Sequence, residues 1–243
     1  MKHPLYLLNC YLKEFEAVVA NVSPDGLEII LDQTAFYPTS GGQPNDLGII
    51  NLADGKSFNV IDVMKRDGLI VHKIDKPGLN AADKVHCVID WERRYTLMRY
   101  HTASHILSTV INKETCAEIT GNQLYLDKAR VDFSLENFDR VLMNGFQDKA
   151  NGIIAKNLPV TFRMLEREEA FKIPALVKLR KQLPETIQEI RVVDVASPEY
   201  DFDHQACGGT HLRNTSEIGR IEIYNLENKG KERRRIYFRI MAS

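Results

Sequence analysis

Three observations predict an α+β fold in two parts. Residues 1–90 carry a succession of short segments with alternating or β-branched character, separated by turn chemistry. Residues 91–113 then run without Gly or Pro and place apolar side chains at helical spacing. Beyond them, helical and extended segments follow one another without the strand–helix–strand rhythm of a doubly wound sheet. A chain of 243 residues is long enough to bury a real core and lies between one large domain and two ordinary ones.

Each element has its own warrant. Extended segments are expected at 16–22, 27–32, 48–51, 58–65, 69–74 and 84–90. Pro24-Asp25-Gly26, Asp54-Gly55, Asp67-Gly68 and Pro77-Gly78 supply turns between them. Short strands this closely spaced predict a small barrel or sandwich. Trp91, Tyr95, Met98, Ile106, Val110 and Ile111 mark the first long helix. Residues 124–133 read as strands around an Asp127-Lys128 turn. A second amphipathic helix is expected over 136–157, with Phe138, Val141, Leu142, Phe146, Ile153 and Ile154 on one side. Asn157 and Pro159 stop it. Strands follow at 160–166, 188–195, 217–224 and 234–240, with a helix interrupted at Pro174 across 167–183. The change of character lies between residues 80 and 91, and we place the domains at 1–85 and 86–243.

With 44% hydrophobic and 27% charged residues the chain is not a disordered one. Lys+Arg number 32 and Asp+Glu 33, so a globally basic nucleic-acid binder is excluded, though a local basic patch is not. The charge is uneven. Residues 1–90 hold eight basic against twelve acidic side chains; the remainder hold twenty-four against twenty-one. No apolar run reaches the roughly 18 residues of a membrane span. The opening MKHPLYLLNC turns charged at Lys13 and Glu14 without a small-residue cleavage site, so no signal peptide and a cytoplasmic location are expected. Cys10, Cys87, Cys116 and Cys207 form no CxxC pair. The first three are expected as small buried apolar side chains.

His101 and His105 stand four apart on the first long helix, so their imidazoles leave one face. A hundred residues on, Asp203-His204-Gln205-Ala206-Cys207-Gly208-Gly209-Thr210-His211 repeats that spacing with Cys207 and His211. The Gly-Gly pair makes this a turn, and glycine lets the backbone aim thiolate and imidazole at one point. Three imidazoles and a thiolate suit zinc. Cys207 beside a histidine could instead be a nucleophile, but the matching HxxxH favours the metal. Counting ligands alone favours a structural site, since a catalytic zinc keeps one position open.

HTASH at 101–105 together with CGGTH at 207–211 resembles the editing domain of alanyl-tRNA synthetase, with related motifs in threonyl-tRNA synthetases. The chain has no room for an aminoacylation domain, so it resembles the freestanding AlaX editing family of medium length. The segment from Phe36 to Gly48 (FYPTSGGQPNDLG), with Ser40, Gly41, Gly42, Gln43 and Asp46, resembles that family's glycine-rich motif, and Thr215-Ser216-Glu217-Ile218-Gly219 also matches. The resemblance covers about residues 16–240. It implies an N-terminal β-barrel like the second domain of elongation factor Tu, then an α+β editing domain. It implies zinc on His101, His105, Cys207 and His211. It implies ATP-independent hydrolysis of the ester in tRNA(Ala) mischarged with serine or glycine.

An alanine-sized pocket rejects glycine and serine by only a few kcal/mol, so a second, hydrolytic site is the physical remedy. Water is expected to attack the ester at the terminal adenosine, with zinc orienting or activating it. His204 and Asp203 are the candidates for base or for orienting a ligand imidazole. Serine is told from alanine by a hydrogen bond to its hydroxyl, worth about 1–3 kcal/mol when left unmade; Thr102, Thr120 and Thr210 are the candidates. Thr120 resembles the position of the family's serine-sensing threonine. The glycine-rich segment either supplies tight turns or folds toward the substrate. The basic run 229–235 reads as a hairpin loop. Lys229, Lys231, Arg233 and Arg234 are candidates for tRNA phosphates there, with Arg93, Arg94 and Arg99 adding to them. A competing reading is a non-catalytic module in which zinc holds the fold. A peptidase-like hydrolase is disfavoured because Thr102 stands where HExxH has its glutamate.

Overall fold

The computed structural model describes residues 3–136, 139–174, 176–177, 185–230 and 233–241. The chain divides into two compact units, Met1–Met98 with Leu124–Leu126, and Arg99–Gln123 with Asp127–Ser243.

The first unit opens with a single helical turn, α1 (Leu5–Leu8), and is otherwise a closed barrel. Its strands are β1 (Glu14–Val22), β2 (Glu28–Leu31), β3 (Gly48–Leu52), β4 (Ser57–Arg66), β5 (Leu69–Ile74) and β6 (Lys84–Ile89), in the order β1-β2-β5-β4-β3-β6. Every pairing is antiparallel. Period-two alternation drives it. In β1, Phe15, Ala17 and Val19 turn inward while their neighbours face water. Closure leaves the strands without a free edge. Gly48 cannot be replaced cheaply: a Cβ there would lie 2.2 Å from the Val88 carbonyl and 2.7 Å from the Phe36 ring.

In the second unit α2 (Trp91–Thr115) continues the chain; the division between the units falls within it. A four-stranded sheet has the order β12-β13-β8-β7, from β7 (Ile119–Leu124), β8 (Ala129–Phe133), β12 (Arg220–Asn228) and β13 (Arg234–Met241). Phe238 of β13 turns inward onto Tyr100 of α2, with ring centroids 6.0 Å apart. The helix α3 (Arg140–Ala155) covers the edge of β12: Gln147 Oε1 accepts from Ile223 N–H (2.7 Å) and Asn151 Oδ1 from Ile221 N–H (2.9 Å). Asp139 caps α3 by accepting from Leu142 N–H. A three-stranded sheet, β11-β10-β9, comprises β9 (Val160–Glu166), β10 (Glu189–Ser197) and β11 (Tyr200–Ala206).

Several expectations need correcting. The buried stripe of α3 is Met143, Phe146, Ala150, Ile153 and Ile154, whereas Val141 is 83% exposed. Val141 precedes Met143 by two residues, which on a helix is the far side. Phe138 lies outside the described residues. The helix expected over 167–183 is one turn, α4 (Arg167–Ala170), followed by turns to Pro174; residues 175 and 178–183 lie outside the described set. Cys116 is exposed, because it leaves the end of α2 in the left-handed region (φ 59°). Cys10 and Cys87 are buried, and burial pushes the Cys87 thiol up to about 12.

Candidate metal centre

α2 presents His101 and His105 one turn apart, both buried, with ring centroids 5.2 Å apart. Strand β11 delivers the chain to Cys207, whose N–H donates to the Arg191 carbonyl of β10 (3.0 Å). Cys207 Sγ then lies 3.5 Å from His101 Nε2 and 3.3 Å from His211 Nε2. The His211 ring is 4.3 Å from that of His101 and 4.5 Å from that of His105, centre to centre. One donor atom from each of the four residues falls within 4.8 Å of all the others. A single S–H cannot donate to two nitrogens at once. Tetrahedral zinc with Zn–S about 2.3 Å and Zn–N about 2.0 Å separates sulfur from nitrogen by about 3.5 Å. The four donors therefore fit a metal ion better than they fit one another.

Each imidazole is set by what holds its other nitrogen. With Nε2 toward the cluster, His211 Nδ1–H donates to Thr102 Oγ1 (3.2 Å), which also accepts from Leu212 N–H (3.2 Å). His105 Nδ1 is buried without a hydrogen-bond partner, and the nearest carboxylate oxygen, Asp203 Oδ2, is 3.8 Å away. Asp203 is itself buried, which raises its pKa against the opposing hydrogen bonds from Thr109 and Gln205. Burial lowers His105 to about 4 and holds His101 and His211 well below the ordinary histidine range, with neighbouring histidines and Arg191 adding to it. All three rings are thus neutral at neutral pH, with lone pairs available. Gly209 N–H donates to Cys207 Sγ (3.4 Å).

The other expected residues are placed as follows. His204 directs Nδ1 to Asp194 Oδ1 (2.5 Å) and Nε2 to Asp201 Oδ1 (2.7 Å), and Arg163 closes on the same Asp194. Asp203 and His204 lie on β11, a strand the sequence does not announce, because its two aspartates weaken the β signal. Thr102 and Thr210 are fully buried, while Thr120 is exposed on β7. Ser40 and Gln43 exchange backbone hydrogen bonds across Gly41 (φ 56°) and Gly42 (φ 80°), a primed hairpin turn that requires left-handed residues at both centres. Gln43 and Asp46 are fully buried. Asp46 accepts from Arg94 Nε (2.8 Å) and from Tyr37 N–H (2.5 Å). Arg94, expected near tRNA, is instead 0% exposed; it also donates to the Cys10 and Ala35 carbonyls. Arg99 donates to the Ile218 carbonyl (2.7 Å). In the hairpin between β12 and β13, Lys229 pairs with Glu227 (2.7 Å), Arg233 is exposed, and Arg234 donates to the Gly230 and Glu136 carbonyls. Lys231 lies outside the described residues. The TSEIG segment is a 3-10 turn, Thr215–Ile218, locked by a reciprocal Asn214–Glu217 capping box.

Sequence reasoning missed Arg191, which is 6% exposed and reaches the carbonyls of Cys207 (2.8 Å) and Gly209 (2.9 Å). Its signal is a lone cation within Ile190-Arg191-Val192-Val193, a strand buried on both faces. Neither Gly208 nor Gly209 is in the left-handed region, and a Cβ on Gly208 would meet nothing within 4 Å.

A closed barrel together with an α+β unit that gathers three histidines and a cysteine defines a class with counterparts among the tRNA synthetases. Residues 8–93 match the family model for class II (A) tRNA synthetases. Residues 190–237 match that for the threonyl and alanyl tRNA synthetase second additional domain. The chain is 47% identical to the alanyl-tRNA editing protein AlaX-M of Methanosarcina barkeri, over 99% of this chain and 100% of the relative. It is 42% identical to AlaX-M of Saccharolobus solfataricus, over 99% of both. With the alanine–tRNA ligase of Pyrobaculum aerophilum it shares 37% identity over 92% of this chain but only 25% of the ligase. The chain belongs to the AlaX family of freestanding editing proteins.

Proposed function

We propose that this chain is a trans-editing hydrolase that removes serine, and also glycine, from mischarged tRNA(Ala), with zinc held by His101, His105, Cys207 and His211. The observation that carries the reading is the convergence of two donor pairs, a hundred residues apart in sequence, onto one point with metal-ligand spacing. The names of the relatives supply the substrate class. Zinc held there would supply Lewis acidity toward an ester carbonyl and a water of lowered pKa. The rest is done by the chain. Thr102 orients His211, and Asp203 faces His105. Water adds across the ester, releasing the amino acid and the ribose hydroxyl of the terminal adenosine.

Thr102 Oγ1 is occupied by His211 and Leu212 and Thr210 is fully buried, so we assign recognition of the serine hydroxyl to Thr120, which is exposed on β7. We assign His204 to the sheet, between its two aspartates. The glycine-rich turn is assigned to shaping the barrel, which we take to be of the elongation-factor domain II kind. Among the described residues no helix is long and apolar enough to cross a membrane, and we place the activity in the cytoplasm, where charged tRNA is used.

Four protein donors also fit a closed, structural site. Against that reading, Cys207 is only partly buried while the three imidazoles are buried, so we take the cysteine side of the centre to be the one that substrate meets. The two readings are separated by chelation. Removing the metal abolishes deacylation of Ser-tRNA(Ala) in a chain that stays folded if the site is catalytic, and unfolds the chain if it is structural.

A further inference from the structure

The turn that carries Cys207 and His211 has to hold a sulfur atom 3.3 and 3.5 Å from two imidazoles. Two successive glycines are the worst backbone for that purpose, because glycine has the most conformational freedom to lose. Their own geometry does not compensate. Neither adopts the left-handed conformation that would make glycine necessary, and Gly208 has no neighbour for a Cβ to meet. The constraint comes from outside the turn. Arg191 NH1 donates to the carbonyls on either side of Gly208, those of Cys207 (2.8 Å) and Gly209 (2.9 Å). The Arg191 carbonyl accepts from Cys207 N–H (3.0 Å). The guanidinium is in turn fixed over the Phe162 ring of β9, 4.4 Å from its centre. With both carbonyls held, Gly209 N–H points at Cys207 Sγ (3.4 Å).

We propose that Arg191, which belongs to neither histidine motif, is the positioning residue of the metal centre: it pins the glycine turn so that Cys207 Sγ meets the imidazoles, and sets a fixed positive charge beside the thiolate. The inference rests on the metal reading above. A residue that only supported the fold would change stability. A positioning residue changes how the thiolate engages the metal.

The test uses the full chain stripped of metal, with Arg191→Met, which removes both the donors and the charge, and Arg191→Lys, which keeps the charge on a shorter stem without the planar fork. Zinc and cobalt affinities are measured by competition with a chelator, and circular dichroism reports the fold. In the cobalt-loaded protein, thiolate-to-metal charge-transfer absorption reports the Cys207 bond. Arg191→Met is expected to bind both metals about 10- to 100-fold more weakly and to lose charge-transfer intensity while cobalt's ligand-field bands persist. Arg191→Lys is expected to fall between it and the wild type, and it decides the matter if Arg191→Met does not fold. A folded Arg191→Lys or Arg191→Met with wild-type affinity and charge-transfer intensity overturns the proposal. So does failure of both variants to fold, which would make Arg191 a fold residue. A wild-type chain that takes up neither metal overturns the centre itself, and Arg191's role with it.

Discussion

His105 Nδ1 is buried, unbonded and 3.8 Å from Asp203 Oδ2. A carboxylate beyond a ligand imidazole fixes the tautomer and raises the basicity of the ligating nitrogen. Asp203→Asn keeps the shape and removes the charge. It is expected to lower zinc affinity about 10-fold or more in chelator competition, with the circular dichroism spectrum unchanged; wild-type affinity would contradict the role. His101 and His105 were legible as a pair because a spacing of four on a Gly- and Pro-free helix puts both on one face, and Cys207 and His211 through the motif they share; the structure brings the four donors together. Arg191 was not legible. A charged residue in a strand reads as solvent-facing unless the burial of both faces is known. Asp203 and His204 look alike in sequence, yet one is directed to His105 and the other to Asp194 and Asp201.

Among the elements, the barrel strands were legible since period-two alternation and turn residues coincide there. β11 was not, because two aspartates interrupt its pattern. The glycine-rich segment is tied into its unit well beyond its own turn: the Gly42 carbonyl accepts from Leu124 N–H (2.8 Å). Gly41 and Gly42 make the primed turn, and Asp46 is taken up by the buried Arg94. Breaking such a pair costs about 3–5 kcal/mol. The barrel also carries a pH liability. His72 is fully buried, with Nε2 2.9 Å from Thr34 Oγ1 and Nδ1 facing the Ile29 carbonyl, and burial lowers it to about 4. Below its unfolded value near 6.5 the unfolded chain takes up a proton that the folded chain refuses. Stability therefore falls as pH drops from about 6.5 to about 4, by roughly 3 kcal/mol from this group. Thermal melts across that window should show a smaller acid-side slope for His72→Gln than for the wild type; parallel slopes would contradict the assignment.

Over the whole molecule, a formal net charge of -1 hides an acidic first part and a basic remainder. Association with tRNA must then rest on local cations. In the β12–β13 hairpin Arg234 donates to backbone carbonyls, Arg233 is exposed, and Lys229, paired with Glu227, meets a phosphate by exchanging that partner; we assign Lys229 and Arg233 to phosphates. Neutralising both to Gln should reduce the slope of log affinity against log salt by about 2, roughly 1 for each cation; an unchanged slope would place the tRNA elsewhere. The claim on which everything else depends is that the four donors hold the metal that hydrolysis requires. Its most direct test is deacylation of Ser-tRNA(Ala) by the chain before chelation, after it, and after zinc is restored, with Ala-tRNA(Ala) as the spared control. Activity should vanish on chelation, return with zinc, and be absent in His101→Ala, His105→Ala, Cys207→Ala and His211→Ala. Full deacylation by metal-free protein would contradict the account.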